Sequence, residues 1–201
     1  MKTFFTAAAF CAAAASASAS TLSGSELFEG TFVFDNDLET IGFELTSDAL
    51  FTATSYGYSG GTSLMGDTIT GGGFDTIFTL FDSDGRILVR DDDGGIGFDS
   101  MISMFLGAGT YSLVISQFSN DVIGSYLANG YEQDGLGGLS FTTVHGCSQG
   151  GFCDVDADNR TGNWAVELSA ELSLPAVPVP ASLPLMLAGL AGFGVMRRKK
   201  K

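Results

Sequence analysis

The sequence predicts an all-β domain, an antiparallel β-sandwich or jelly-roll-like stack, set between two terminal segments of different character. Three observations predict it. Glycine is abundant, with 28 in the chain. Aromatic and β-branched residues fall in short runs between Gly, Asp, Asn and Ser clusters, which is the pattern of strands joined by turns. No run carries the 3.6-residue apolar period of a long amphipathic helix.

The expected strands follow in order. GTFVFD at 30–35 comes first. ETIGFELT at 39–46 follows, where Ile41, Phe43 and Leu45 alternate with Gly42, Glu44 and Thr46. LFTATSYGY covers 50–58, FDTIFTLFD 74–82 and GRILVRD 85–91. DSMISMFL lies at 99–106, GTYSLVISQF at 109–118, SYLANGY at 125–131 and LSFTTV at 139–144. NWAVELSAEL at 163–172 alternates most clearly. Trp164, Val166 and Leu168 face one way, and Ala165, Glu167 and Ser169 the other, so one face is expected to be buried and the other wet. The Gly-rich 58–73 stretch reads as a long loop.

Residues 1–19 have the layout of a secretory signal peptide: Lys2, a short apolar run, then small residues. Ala17 and Ala19 suit a cleavage site of the A-x-A kind. Cleavage is expected after Ala19, with Ala17 as the alternative. Cys11 lies within the apolar run and lacks the flanking residues of a lipoprotein cysteine. Residues 20–175 then form one domain, of a size that suits one core. Residues 176–201 stand apart, with helix-breaking prolines, an uncharged apolar run and five consecutive basic residues.

All 23 carboxylates lie between Glu26 and Glu171. Only Arg86, Arg90 and Arg160 oppose them, so the body has a formal charge of −20. Such a field repels nucleic acid and anionic lipid and attracts divalent cations. Two cysteines remain after signal-peptide removal, Cys147 and Cys153, flanking SQGGF. A short-loop disulfide is expected in an oxidising compartment. A zinc pair with His145 is the competing reading, but it lacks a fourth ligand.

Two acidic loops are candidate calcium sites. DSDG at 82–85 and DDDGG at 91–95 flank a strand, and Asp99 follows. If the second loop folds over the first turn, Asp82, Asp84, Asp91, Asp93 and Asp99 converge as an oxygen-rich cage. The plain alternative is two exposed turns. In CDVDADNRTGNW, Asp154, Asp156 and Asp158 have the 1, 3, 5 spacing of a calcium loop. Position 12 is Ala165 where a bidentate glutamate belongs, so this second site is the weaker. GGIGFDSMI fits a calcium nonapeptide once, and a single copy makes no solenoid. There is no nucleophile elbow, phosphate loop or dinucleotide fingerprint. No enzyme is expected, and no cofactor beyond calcium.

The tail resembles the VPLPA variant of the PEP-CTERM sorting signals of Gram-negative bacteria. Val177, Pro178, Val179, Pro180 and Ala181 match the short motif, with Val179 replacing leucine. A hydrophobic segment and the basic cluster from Arg197 and Arg198 to Lys201 follow in the family's order. The resemblance implies recognition by an exosortase, a membrane transpeptidase, with a transient inner-membrane anchor. It further implies delivery to the cell surface or matrix, in association with exopolysaccharide and biofilm. The physical reading agrees. Residues 182–196 give about 22 Å of helix at roughly 1.5 Å per residue, short of a hydrocarbon core of about 30 Å. Lysine snorkelling bridges the difference, and the basic end stays cytoplasmic.

The body resembles the bacterial pre-peptidase C-terminal domain through FTLFDSDGRILVRDDDGG and LGAGTYSLVISQF. That resemblance implies a non-catalytic, calcium-stabilised β domain without protease activity. A surface or matrix structural protein is therefore expected. The alternative is a carbohydrate-binding module using Tyr56, Tyr58, Tyr126 and Tyr131, and less so a secreted hydrolase.

Overall fold

We describe the chain from a computed structural model that defines residues 19–136, 152–154 and 160–172. The eleven strands among these residues are β1 (Ser20–Thr21), β2 (Gly24–Thr31), β3 (Glu39–Leu45), β4 (Ala49–Ser55), β5 (Gly61–Thr62) and β6 (Thr68–Ile69), then β7 (Thr76–Phe81), β8 (Ile87–Asp91), β9 (Met101–Leu106), β10 (Gly109–Gln117) and β11 (Asn163–Leu172). They form a five-stranded sheet in the order β1-β3-β10-β7-β8 and a four-stranded sheet in the order β2-β11-β4-β9. A two-stranded β5-β6 hairpin completes the set. Every pairing is antiparallel except β1 with β3.

The two-residue period supplies one apolar face per strand. From the first sheet come Ile41, Phe43, Leu45, Phe78, Leu80, Leu113 and Ile115; from the second come Phe51, Ile102, Val166 and Leu168, all buried in one cluster. Phe43 stacks on Phe51 across the layers at 4.7 Å between ring centroids. The alternating face of β3 is therefore core, as its sequence predicts.

The sandwich has two distinct ends. The β3–β4 link at 46–48, the β9–β10 link at 107–108 and the C-terminal end of β11 share one of them, because Leu172 pairs with Ala49 and Ala49 with Leu106. The β7–β8 turn lies toward the same end. The opposite end gathers the starts of β7, β9 and β11 and the loop following β8.

Several expectations change. The first strand starts at Gly24 and stops at Thr31, because the Asp37 carboxylate accepts the backbone N–H groups of Val33 and Phe34 at 2.7 and 2.8 Å and closes a turn there. Residues 125–131 form a short 3-10 turn at Leu127–Asn129 instead of a strand. This segment lays Tyr131 and Leu127 against Phe81 and Val114 on the outer face of the first sheet, so β7 and the end of β10 are buried on both sides. The wet face expected on β11 is also buried: Ala165, Glu167 and Ser169 are all shielded. The 58–73 stretch folds into the β5-β6 hairpin, whose connecting loop reaches back over that face, and the Leu64 N–H donates to Glu167 at 3.0 Å. The expected strand at 139–144, the signal peptide and the sorting tail lie outside the described residues.

Gly30 is required by its cross-strand neighbour. It pairs with Trp164, and a Cβ there would lie 2.3 Å from the indole ring. Gly30→Ala should force the ring aside and destabilise the domain by about 1–3 kcal/mol, as overpacking does. Trp164 is the sole tryptophan, so a shifted emission maximum with a lower melting temperature is the expected readout.

Candidate functional site

The chemistry of the body concentrates at the end where β7, β9 and β11 begin. Asp99 is fully buried. Its carboxylate accepts from the Ser55 hydroxyl, from Tyr58 N–H at 3.0 Å and from Ser59 N–H at 2.8 Å. It therefore pins the segment after β4 to the start of β9. Beside it, the Arg160 guanidinium lies 3.4 Å from the centroid of the Tyr58 ring and donates to the Tyr58 carbonyl at 2.9 Å. Phe98 meets the same ring edge-on.

A second buried carboxylate, Glu167, holds the loop above β11. Its oxygens accept from the Ser25 hydroxyl at 2.5 Å, the Tyr56 hydroxyl at 2.9 Å and Leu64 N–H. Burial, followed by the bond to Glu167, pushes the Tyr56 hydroxyl up to about 12, so it remains a donor throughout the neutral range.

The metal-compatible group at this end is Asp75, Asp92 and Asp93, each offering a carboxylate oxygen within 4.8 Å of the others. Asp75 is buried, Asp92 half-buried and Asp93 exposed. One oxygen of Asp92 is buried without a hydrogen-bond partner among the described residues. Arg90 reaches the other at 3.6 Å while holding Asp121 at 2.5 Å. Burial raises the Asp92 pKa above its ordinary value; Arg90 opposes this, and Asp93, Asp121 and Asp91 add to it.

The five carboxylates expected to share one cage thus part company. Asp82 accepts the N–H groups of Asp84 and Arg86 within the β7–β8 turn. Asp91 accepts those of Gly94 and Met101, and Asp99 holds the β4 segment. Only Asp93 joins the cluster. For Asp82 and Asp84 the reason is geometric: the five residues of β8 span about 17 Å at roughly 3.3 Å each, so the turn before the strand lies at the opposite end from the loop after it. Asp91 and Asp99 lie at the cluster's end but accept backbone N–H groups there. Asp75 has no signal in the local sequence; the β7-β8 pairing brings it to Asp92. Asp92 stood within the DDD run, where strand direction selects which carboxylate faces inward.

Of the second proposed loop, Asp154 is buried, and Asp156 and Asp158 lie outside the described residues. Cys153 is buried, with its carbonyl accepting from the Gln117 side chain at 3.0 Å; Cys147 lies outside them. Of the four tyrosines considered for glycan contact, Tyr126 is exposed and Tyr131 buried, while Tyr56 and Tyr58 are held as described. The sorting residues Val177, Pro178, Val179, Pro180, Ala181, Arg197 and Arg198 also lie outside the described residues. Among the described residues no helix is long and apolar enough to cross a membrane.

Residues 176–201 match the PEP-CTERM protein-sorting motif. That motif marks a protein exported across the membrane and recognised by an exosortase. Among solved structures, the chain is similar to the pre-peptidase C-terminal domain of a collagenase from Bacillus anthracis, with 10% identity, 77% of this chain and 95% of that one covered, and a TM-score of 0.39. It is also similar to PliG of Aeromonas hydrophila, a periplasmic inhibitor of g-type lysozyme, with 14% identity, 76% and 96% covered, and a TM-score of 0.34. No curated protein matches the chain.

Two substitutions separate support from strain. Asp99→Ala leaves the buried Ser55 hydroxyl and the Tyr58 and Ser59 amides without their acceptor and should cost about 2–4 kcal/mol, whether or not calcium is present. Asp92→Asn should act in the opposite sense. With its folded pKa raised, Asp92 loses stability as pH rises from the ordinary value of 3.8 toward the raised one, and the deficit persists above it. In chelator at pH 7 the asparagine variant should melt above wild type, and the gap should close below about pH 3. A variant melting lower at pH 7 would show that the Arg90 contact outweighs burial.

Proposed function

We propose that the mature body is a non-catalytic surface or matrix protein, delivered outside the cell by a tail that an exosortase removes, and working alongside exopolysaccharide. The observation that carries this reading is the match of residues 176–201 to the sorting motif, immediately after a domain that closes on itself at Leu172. The −20 charge of the body supports a soluble role beyond the membrane. So does the use of its buried carboxylates: Asp99 and Glu167 have both oxygens occupied by internal donors and serve as braces.

Two features belong to the same reading. The Asp75–Asp92–Asp93 group is proposed to hold calcium. Three carboxylates supply only hard oxygen donors, which suits Ca²⁺, and a cation would satisfy the unpartnered oxygen of Asp92. The site would then brace the β8–β9 loop against β7. Cys147 is proposed to pair with Cys153; the burial of Cys153 and the short SQGGF spacing between the two support this.

The prolines test the sorting role. They fix φ and keep the chain extended beside the membrane, where a peptidase needs an extended segment. With Pro178→Ala and Pro180→Ala together, full-length chain should accumulate in the inner membrane while export continues. Fractionation with an antibody against the body reads this out. Normal processing of that variant would contradict the assignment.

Calcium is tested separately. Ligand at 100 times its Kd stabilises the folded state by about 2.7 kcal/mol. Chelation should lower the melting temperature and calcium, but not magnesium, should restore it. The Asp75→Asn, Asp93→Asn variant should show no response. Identical melting of wild type in chelator and in millimolar calcium would remove the site.

A further inference from the structure

The strand that completes the second sheet is also the strand that leads into the sorting tail. β11 ends at Leu172 and the matched motif begins at 176. Only residues 173–175 lie between, a link of about 10 Å when fully extended at roughly 3.3–3.6 Å per residue. β11 is bonded on both sides, by β2 and by β4, so it cannot peel away to lengthen the link without opening the sheet. The chain therefore leaves β11 toward the sorting tail from the end that holds Ala49 and Leu106. The β1–β2 turn lies at the same end, because β1 runs parallel to β3 toward it and Gly24 pairs with Ala170.

That end has a definite chemistry. It carries the turns at 46–48, 82–86 and 107–108. Glu44, Asp48, Asp84 and Glu171 are all exposed there. Arg86 is the one basic side chain near it among the described residues, because Arg90 and Arg160 are engaged at the far end. An acidic surface gains nothing from anionic lipid headgroups, but it complements a basic protein rim.

We infer that this acidic end of the sandwich docks against the sorting peptidase itself, on a basic rim facing outward from the membrane, while the tail is in its cleft. The inference rests on the sorting reading above and adds a second point of recognition to it. The tether is short enough that the folded body must sit beside the enzyme during cleavage. The surface it presents is fixed by the direction of β11. The opposite end, with the Asp75–Asp92–Asp93 group and the Asp99 brace, then points away from the membrane and stays free throughout processing.

The test is pulse-chase measurement of precursor half-life in the native cell. Glu44→Lys, Asp84→Lys and Glu171→Lys together should lengthen the half-life by about tenfold or more, the low end of the range over which electrostatic steering changes encounter. Glu29→Lys, Asp67→Lys and Glu132→Lys make the same change of charge elsewhere and should leave it unaltered. A long Gly-Ser insert after Leu172 frees the body from the enzyme. In that background the first triple should be cut as fast as the insert chain without it. The three single variants of the first set, each expected to slow cutting by less, guard against a misfolded triple. Equal half-lives for the two triples, or slowing that persists with the insert, would overturn the docking surface. Normal cutting of the proline variant would instead overturn the sorting reading on which it rests.

Discussion

The ladder between β2 and β11 is the constraint on which the rest of the domain depends. Eight residue pairs, from Asn163 with Thr31 to Ala170 with Gly24, join the first long strand of the body to its last. β11 also pairs with β4 and lays Trp164, Val166, Leu168 and Ala170 into the core. Without it, β2 loses its neighbour and the core loses one wall. Such a contact spans nearly the whole domain, so its loop-closure cost comes before its reward. The sandwich is complete only when the chain has emerged to Leu172, where the sorting tail is about to begin.

Buried carboxylates make the two least regular connections obey this frame. Asp99 and Glu167 each collect donors from segments distant in sequence: the residues after β4 in one case, the β5–β6 connection, Tyr56 and Ser25 in the other. A charged acceptor with several donors is stronger than neutral bonds and costly to leave half-satisfied. Gly-rich segments that would otherwise be loose are thereby tied to the strands. In an acidic protein, some carboxylates thus act as internal braces while others supply the exposed field.

The strands were largely legible in the sequence because a period of two reads directly as an inward and an outward face. Ile41, Phe43 and Leu45 are core for that reason. The reading failed where a third layer covers a face. Glu167 looked solvent-facing on alternation alone, and nothing local announces that the Leu64 amide will cover it. Residues 125–131 had strand-like composition, yet Tyr131 is used as a plug against Phe81 and Val114. The acidic site was half legible. The DDD run was visible, but Asp75 joins it only through the β7-β8 register, and the length of β8 removes Asp82 and Asp84. The sorting motif was fully legible, because its order of proline, apolar and basic segments is written in the sequence and needs no fold.

The two ends of the sandwich divide the labour. One end is where β11 stops at Leu172, just before the sorting motif; the other gathers the acidic group, the cation–π contact of Arg160 on Tyr58 and the buried Cys153. The account's central claim is that the body is a finished, self-contained domain and the tail a removable address. Intact mass of the protein recovered from the surface or medium of its native cells tests this most directly. The account predicts a chain that begins at Ser20 and lacks residues 182–201, carrying the closed body up to Leu172 and a short stub. A mature protein that still carries Arg197 to Lys201 would contradict it.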